Sequence, residues 1–418
     1  MAKPTLALIP AAQGDKFYSV LPSNGVGDFS FSRSGEATRI NKDGLIETVA
    51  NGVSRLNYSL IDGVVSGCPS HLLEPARTNL FQYSNDFSQS YWSKEGSSVL
   101  SGFISPDGTT NAFKLVENVS NSLHRVGRAT FSANVNRTLS FFAKKGERNY
   151  ISLFENNVGS PTVKGVIFDL ENGTFYNNNE GFYFNVQIEN YGNGWYRCSA
   201  YFQNGGLSVP SIGISADGLT NSYQGDGTSG VYIFGAQLEE GLYTTSIMPS
   251  NGTAETRSAE TANGAGDINT FNDSEGVLYV EIKAFISQDT VEPNRYITLT
   301  NGTSNERVAL LLGGNPNQLR AIIYSASQNI NLSFSTTLTD VKQFNKLALK
   351  YKRGDHSFFL NGVKIGGSTL DKIFSENTFN NLSFDVGGGP LPFRGIVKDM
   401  RVYNTGLTDQ ELEALTQV

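Results

Sequence analysis

Residues 182–189 read FYFNVQIE, and the alternation in that stretch decides the fold class. Phe182, Phe184, Val186 and Ile188 fall on one side of an extended chain, with Tyr183, Asn185, Gln187 and Glu189 on the other. Successive side chains of a strand point to opposite faces, so the pattern predicts a strand resting one face on a core. Just upstream, VIFDLENGTFY (166–176) places Asn172-Gly173 between two β-type runs, the signature of a two-residue hairpin. TLSFFAK, NYISLFE, WYRCSAYF and GVYIFGAQLE supply further strands on either side. Strands at this spacing predict an antiparallel sandwich over residues 81–250.

Working outward, residues 251–275 are small, polar and glycine-containing, as expected of a linker. Alternation resumes in 276–418, with Leu278, Val280, Ile282 and Ala284 on one face and Tyr279, Glu281 and Lys283 on the other. Asn361-Gly362 in SFFLNGVKI marks a second hairpin. Near the C-terminus Thr408 and Glu411 have capping-box spacing, and Leu407 and Leu412 form a hydrophobic staple, so one short helix is expected there. Residues 1–80 read as irregular and turn-rich, apart from a small hairpin around Asp43-Gly44. Pro69 and Pro75 hold CPSHLLEPARTNL extended. The expectation is an all-β chain: an irregular N-terminal module, two sandwiches, a linker between them and a terminal helix.

Composition agrees. The 44 glycines suit many tight turns, and charged residues are sparse at 17%. A net charge of −7 argues against a nucleic-acid groove, which needs a basic stripe. Lys144-Lys145 and Lys350, Lys352 and Arg353 read as solvated strand ends. Cys68 and Cys198 fall in different segments and read as inert buried thiols of a reducing compartment. MAKPTLALIPAAQG is too short and too broken by Pro10 for a signal peptide, and no stretch reaches the length of a membrane span. Folding and assembly in a cytoplasm, without membrane insertion, are expected.

Catalytic chemistry is hard to find. Paired carboxylates on one strand must sit two residues apart to share a face, and no E-x-D-x-E strand occurs. Asp169 and Glu171 run into a hairpin turn and read as solvated. His71, His124 and His356 lie in different segments with no metal-ligand spacing, and His356 reads as exposed in a turn. No G-x-S-x-G elbow or P-loop is present, and Gly387–Pro390 reads as a plain loop. The expected class is therefore non-enzymatic.

Two longer stretches carry a resemblance. FSFSRSGEATRINKDGLIETVANGVSRLNY (29–58) followed by CPSHLLEPARTNLFQYSNDFSQSYW (68–92) resembles a leader of phage tail-fibre, head-fibre and other virion appendage proteins, Arg77-Thr78-Asn79-Leu80 being its most recognisable string. NGWYRCSAYF and YIFGAQLEEG resemble the carbohydrate-binding jelly-roll module that follows such leaders. FRGIVKDMRVYNTGLTDQELEAL (393–415) resembles the closing strand and helix of concanavalin A-like or laminin-G-like sandwiches. The resemblance implies a virion structural protein, assembled in the bacterial host cytoplasm. It would dock to other virion proteins through residues 1–80 and bind host-surface glycans, usually as a homo-oligomer, trimers being common.

Sugar sites stack aromatic faces on apolar sugar surfaces and grip hydroxyls with amides. On that chemistry Trp92, Tyr191, Asn193 and Tyr223 are the glycan-binding candidates, while Trp195 and, by a second reading, Trp92 belong to packing. No cofactor is expected, although Asp107, Asp217 and Asp226 are loop carboxylates of a kind that hold calcium in such sandwiches. Two rival roles follow from the same residues: a purely structural capsid decoration, fibre or tail connector, and a host-polysaccharide depolymerase.

Overall fold

The structure is a computed structural model that describes residues 2–8, 10–128, 131, 135–155, 164–177, 182–203, 209–287 and 294–418. The described residues are all-β apart from one helix, Asp409–Thr416. That helix begins at Thr408, whose hydroxyl accepts from the Glu411 amide while the Glu411 carboxylate accepts from the Thr408 amide. Leu407 and Leu412 pack together with Tyr279, Phe359 and Tyr403, so the staple seats the helix on the outside of a sheet. No helix among the described residues is long and apolar enough to cross a membrane.

Residues 93–240 form a sandwich of two antiparallel sheets. One runs Ser93–Glu95, Arg125–Gly127, Pro210–Ser215, Tyr150–Glu155, Lys164–Asp169, Thr174–Asn177. The other runs Ser97–Phe103, Ala112–Glu117, Gly230–Glu240, Asn136–Lys145, Trp195–Gln203, Tyr183–Asn190. Phe141, Leu153, Phe168, Cys198, Ile212 and Ile233 fill the space between them, each at most 2% exposed. Burial of such side chains contributes roughly 1.5–3 kcal/mol each.

The stretch that fixed the fold class departs from strict alternation in one place. A β-bulge shifts the register between Phe184 and Gln187, with Asn185 at φ 45°. The extra residue flips the side chains before it. Tyr183 is therefore core, at 1% exposure, and Phe184 lies outside, at 44%. The hairpins also differ from one another. Asn361 and Gly362 make a two-residue turn, both with positive φ, between paired Leu360 and Val363. Asp169 instead pairs with Thr174, which leaves four residues in the loop that holds Asn172-Gly173. Asp169 Oδ1 accepts from the Glu171 and Asn172 amides at 2.9 and 3.1 Å, so this carboxylate is a buried turn cap and not solvated.

The C-terminal sandwich faces a large sheet against a smaller one. The smaller runs Ile330–Thr337, Gln318–Ser325, Glu306–Leu312, Arg295–Thr300, Asn381–Ser383. The large sheet runs Val363–Ser368, His356–Leu360, Asn345–Lys352, Glu275–Lys283, Gly395–Tyr403, Val64–Leu73, Leu56–Ile61, and Leu6–Leu8 also pairs with Gly395–Tyr403. Residues 1–80 thus differ from the separate irregular module expected of them. They supply strands to the C-terminal sheet, and Leu6, Leu8, Phe17, Phe29 and Phe31 sit in its core. The expected linker is likewise structured: Glu255–Arg257 pairs with Arg77–Asn79, and Thr261–Asn263 pairs with Phe29–Ser32. These segments look irregular in sequence because each strand is short and finds its partner far along the chain.

Several side chains expected in water are buried. His356 opens a strand at 2% exposure, its Nδ1 accepting from the Lys352 amide. Lys350, also 2% exposed, pairs with Asp355 at 2.9 Å and with Asp409 at 3.2 Å. Cys198 is buried as expected, and burial pushes its thiol up, but Cys68 is an exposed free thiol.

Candidate functional site

The site begins with a knot of buried charge. Glu260 follows Glu255–Arg257, and its carboxylate accepts from Arg33 Nη1 at 3.0 Å and from Arg55 Nε at 2.8 Å. Glu74, three residues after the buried His71, accepts from Arg55 Nη2 at 2.7 Å and pairs with Arg257 Nη1 at 2.9 Å. Burial works to raise the Glu74 carboxyl, but Arg257 and Arg55 outweigh it and hold the group at about 2. Ser246 binds the same carboxylate through its amide and hydroxyl, at 2.8 and 2.6 Å. The string LEPARTNL (73–80) thereby acquires a physical meaning. Glu74 clamps three segments together, Thr78 bonds Thr256 at 2.8 Å, and the Asn79 amide group donates to Met248 O and accepts from the Leu238 and Phe81 amides.

Beside this knot the first segment, the middle sandwich and the C-terminal sandwich enclose a cleft of about 320 Å³. Arg39 and Asn57 line it from the first segment, Gln187, Glu189, Tyr191, Arg197 and Tyr243 from the middle sandwich, and Lys283, Phe285, Asp340 and Lys342 from the last. Tyr191 is half-buried and meets Phe142 edge-on at 4.9 Å. Burial pushes its phenol up to about 12, opposed by the neighbouring Arg197. Tyr243 stacks on Phe285 with ring centres 5.5 Å apart, joining the two sandwiches at the cleft wall. Arg197, 5% exposed, donates through Nη2 to Thr245 O at 2.6 Å and Thr244 Oγ1 at 2.9 Å, and lies 5.4 Å from the Phe142 ring centre. A concave surface with half-exposed rings, amides and fixed charges is suited to a polyhydroxylated ligand.

Of the four sugar candidates, Tyr191 lies in this cleft. Asn193, two residues on, is exposed at φ 52° on a loop that borders a second depression with Asp43 and Gly63. Trp92 is core: it is 3% exposed, packs against Phe81 and Phe87, and donates from Nε1 to Tyr83 O at 2.9 Å. Tyr223 is half-buried outside the cleft lining, its hydroxyl donating to Glu117 Oε2 at 2.6 Å and its ring against His124 at 4.5 Å. Trp195 is core, at 2% exposure.

The calcium candidates do not converge. Asp107 accepts from Ser105 Oγ, the Thr109 amide and Asn111 Nδ2. Asp217 accepts from the Leu219 and Thr220 amides, and Asp226 from the Thr228 and Ser229 amides. Each carboxylate organises its own turn, and no group of metal-holding side chains occurs among the described residues.

Carboxylates do meet on the outer face of the large sheet, where Glu281 and Asp399 are register partners. Lys398 neutralises Glu281 at 2.8 Å and Arg401 neutralises Asp399 at 2.5 Å. Burial raises the Asp399 carboxyl against the pull of Arg401. The pair lies outside the cleft lining. Within the cleft, Glu189 is exposed and Asp340 accepts from the Lys342 amide at 2.8 Å.

Sequence reasoning missed Gln187, Arg197, Tyr243, Phe285, Lys283 and Lys342 as site residues. Each occupies an ordinary strand or turn position, and their meeting depends on how three segments dock, for which no local motif exists.

Residues 282–413 match the Concanavalin A-like lectin/glucanases superfamily, in agreement with the concanavalin A-like C-terminal sandwich. None of the curated proteins matches the chain. Partial structural likenesses include the Ruminococcus gnavus IT-sialidase CBM40 bound to alpha2,3 sialyllactose. It is 18% identical over 35% of this chain and 84% of that one, with a TM-score of 0.30. Domain 4 of AbnA, a GH43 extracellular arabinanase from Geobacillus stearothermophilus in complex with arabinotriose, is 15% identical over 38% and 73%, with a TM-score of 0.31.

Proposed function

We propose that this chain is a non-catalytic glycan-binding protein carried on the outside of a bacteriophage particle, with the junction cleft as its sugar site. The observation that carries the binding reading is the cleft itself. Tyr191 and Phe285 offer ring surface there, and Asn57 and Gln187 offer amides, within reach of one small oligosaccharide. The superfamily match to the C-terminal sandwich supports a lectin-like scaffold, although such folds host many functions. The particle setting rests on the leader resemblance of residues 29–92. Other virion proteins and further copies of the chain are its proposed partners, and host-surface glycans its ligands. Non-catalysis is favoured by the state of the cleft carboxylates: Glu74 is tied up by two arginines, Asp340 caps its own turn by accepting from the Lys342 amide, and Glu189 is open to solvent, where a general acid wants a desolvated carboxyl.

A glycan array tests the binding reading directly. Wild-type chain is expected to bind a restricted set of glycans and Tyr191→Ala to lose that set while keeping its thermal unfolding. Binding that survives Tyr191→Ala would place the sugar elsewhere, and glycan cleavage would establish the depolymerase alternative.

A purely structural role is favoured by a different observation. Phe175, Tyr176 and Phe184 are 40%, 54% and 44% exposed on Thr174–Asn177 and Tyr183–Asn190, the edge strands of the two middle sheets. Exposed aromatics beside open edges suit burial between subunits. Electron microscopy of the particle would locate the chain and show whether this edge is covered.

A further inference from the structure

We infer that the cleft selects sugars bearing an anionic group, a carboxylate or sulfate, with Arg197 at its wall and Lys283 and Lys342 as the accompanying cations. This rests on the reading of the cleft as a sugar site. The argument starts from charge balance in the buried junction. Arg33, Arg55, Arg197, Arg257 and Arg394 are all at most 5% exposed there, against the three carboxylates Glu74, Glu239 and Glu260. Glu74 and Glu260 are consumed by Arg33, Arg55 and Arg257. Glu239 faces Thr245 and Gln237.

Arg197 is left over. Its Nη2 bonds go to a carbonyl and to the hydroxyls of Thr244 and Ser140, all neutral. Its Nε makes no hydrogen bond. No carboxylate lies within ion-pair distance of it among the described residues. Glu239 acts on Arg197 electrostatically but makes no ion pair with it, and burial pushes the Glu239 carboxyl up, so an arriving anion would give this buried cation the direct contact it lacks. Lys283 and Lys342 line the same cleft from the C-terminal sandwich, with no ion pair among the described residues. Arg39 also lines it, but Glu47 holds that guanidinium at 2.8 Å. The opposing charges are Glu74, which Arg55 and Arg257 already neutralise, Glu189, which is exposed, and Asp340, which already accepts from the Lys342 amide. They would repel an anion at the rim and leave the Arg197 wall available to it.

The test is calorimetric titration of the full chain with matched probes: tetragalacturonate and its methyl ester, 3′-sialyllactose and its methyl ester, 3′-sulfolactose, and lactose. At least one acid is expected to bind about tenfold or more tightly than its neutral partner, as expected when a charged hydrogen bond is lost. Its affinity should fall as salt is raised. Lys283→Gln and Lys342→Gln, both partly exposed, should weaken the acid several-fold more than the ester. Arg197→Gln should abolish the preference. Sulfolactose against sialyllactose separates sulfate from carboxylate recognition. If acids and esters bind equally and Tyr191→Ala abolishes both, the sugar site stands and the charge assignment is overturned. If no probe binds, both are overturned.

Discussion

Arg55 and Glu260, 205 positions apart in the chain, meet side by side with Nε to Oε1 at 2.8 Å and Nη2 to Oε2 at 2.5 Å, both side chains fully buried. One partner comes from the leader and the other from the stretch that looks like a linker. Removing one charge strands the others. Glu260→Gln is expected to destabilise the chain by about 3–5 kcal/mol, read from urea unfolding. A loss under about 1 kcal/mol would mean that water reaches the knot.

Deletion of residues 1–80 tests whether the first segment is part of the C-terminal sandwich. Without Leu6–Leu8 and Val64–Leu73, the strand Gly395–Tyr403 becomes an open edge over an uncovered core. The truncated chain is expected to aggregate, and its C-terminal strands to lose hydrogen-exchange protection. A soluble, protected product would show the segment to be an appendage after all.

Acid should expose His71. The ring is 1% exposed, stacks on Phe17 at 3.9 Å, and burial holds it down at about 3 against an ordinary 6.5. The unfolded chain takes up the proton first, so stability falls as pH drops from about 6.5 towards 3, by up to about 4–5 kcal/mol. Glu74 adds its own loss only below about 4.5, its ordinary value, as pH approaches 2. Unfolding free energy measured from pH 7 to 5 should therefore slope in the wild type and less steeply in His71→Leu, where His356, also held down by burial, still contributes.

Two aromatic substitutions should separate packing from binding. Trp92→Ala empties a core site and is expected to cost about 3–5 kcal/mol of stability. Tyr191→Ala, at a half-buried cleft position, should remove glycan binding with a much smaller shift in Tm. Thermal unfolding and array binding measured on both proteins decide the matter.

Calcium should leave the protein unchanged. The carboxylates of Asp107, Asp217 and Asp226 already accept two or more hydrogen bonds from their own turns. Equal Tm values in calcium and in chelator are expected, and a rise with calcium would point to ligands outside these three turns.

Much of the fold was legible where the physics is local. Alternation announced the strands, Asn361-Gly362 gave a two-residue turn, and the Thr408 capping box set the helix start. What escaped was non-local or hinged on one residue. The bulge at Asn185 reverses the faces on either side of it, a change that no alternation rule can register. The polar run 251–275 resembles a tether until its Arg257 and Glu260 find Glu74 and Arg55. His356 and Lys350 look solvated because their partners, Leu370 O for the first and Asp409 for the second, lie outside any short window. Of the proposed site, Tyr191 is the sugar candidate that falls in the cleft lining; the remaining lining residues were hidden, since the cleft is a product of docking.

Thr5 donates its hydroxyl to Val402 O, 397 positions later. At a synthesis rate of roughly 5–20 residues per second, the opening strands wait on the order of tens of seconds for their neighbour to leave the ribosome. During that wait Leu6, Leu8, Phe29 and Phe31 have no core to enter, so a chaperone that shelters nascent apolar segments would govern the yield of this protein. A message cut short before its last strand would deliver a product unable to close.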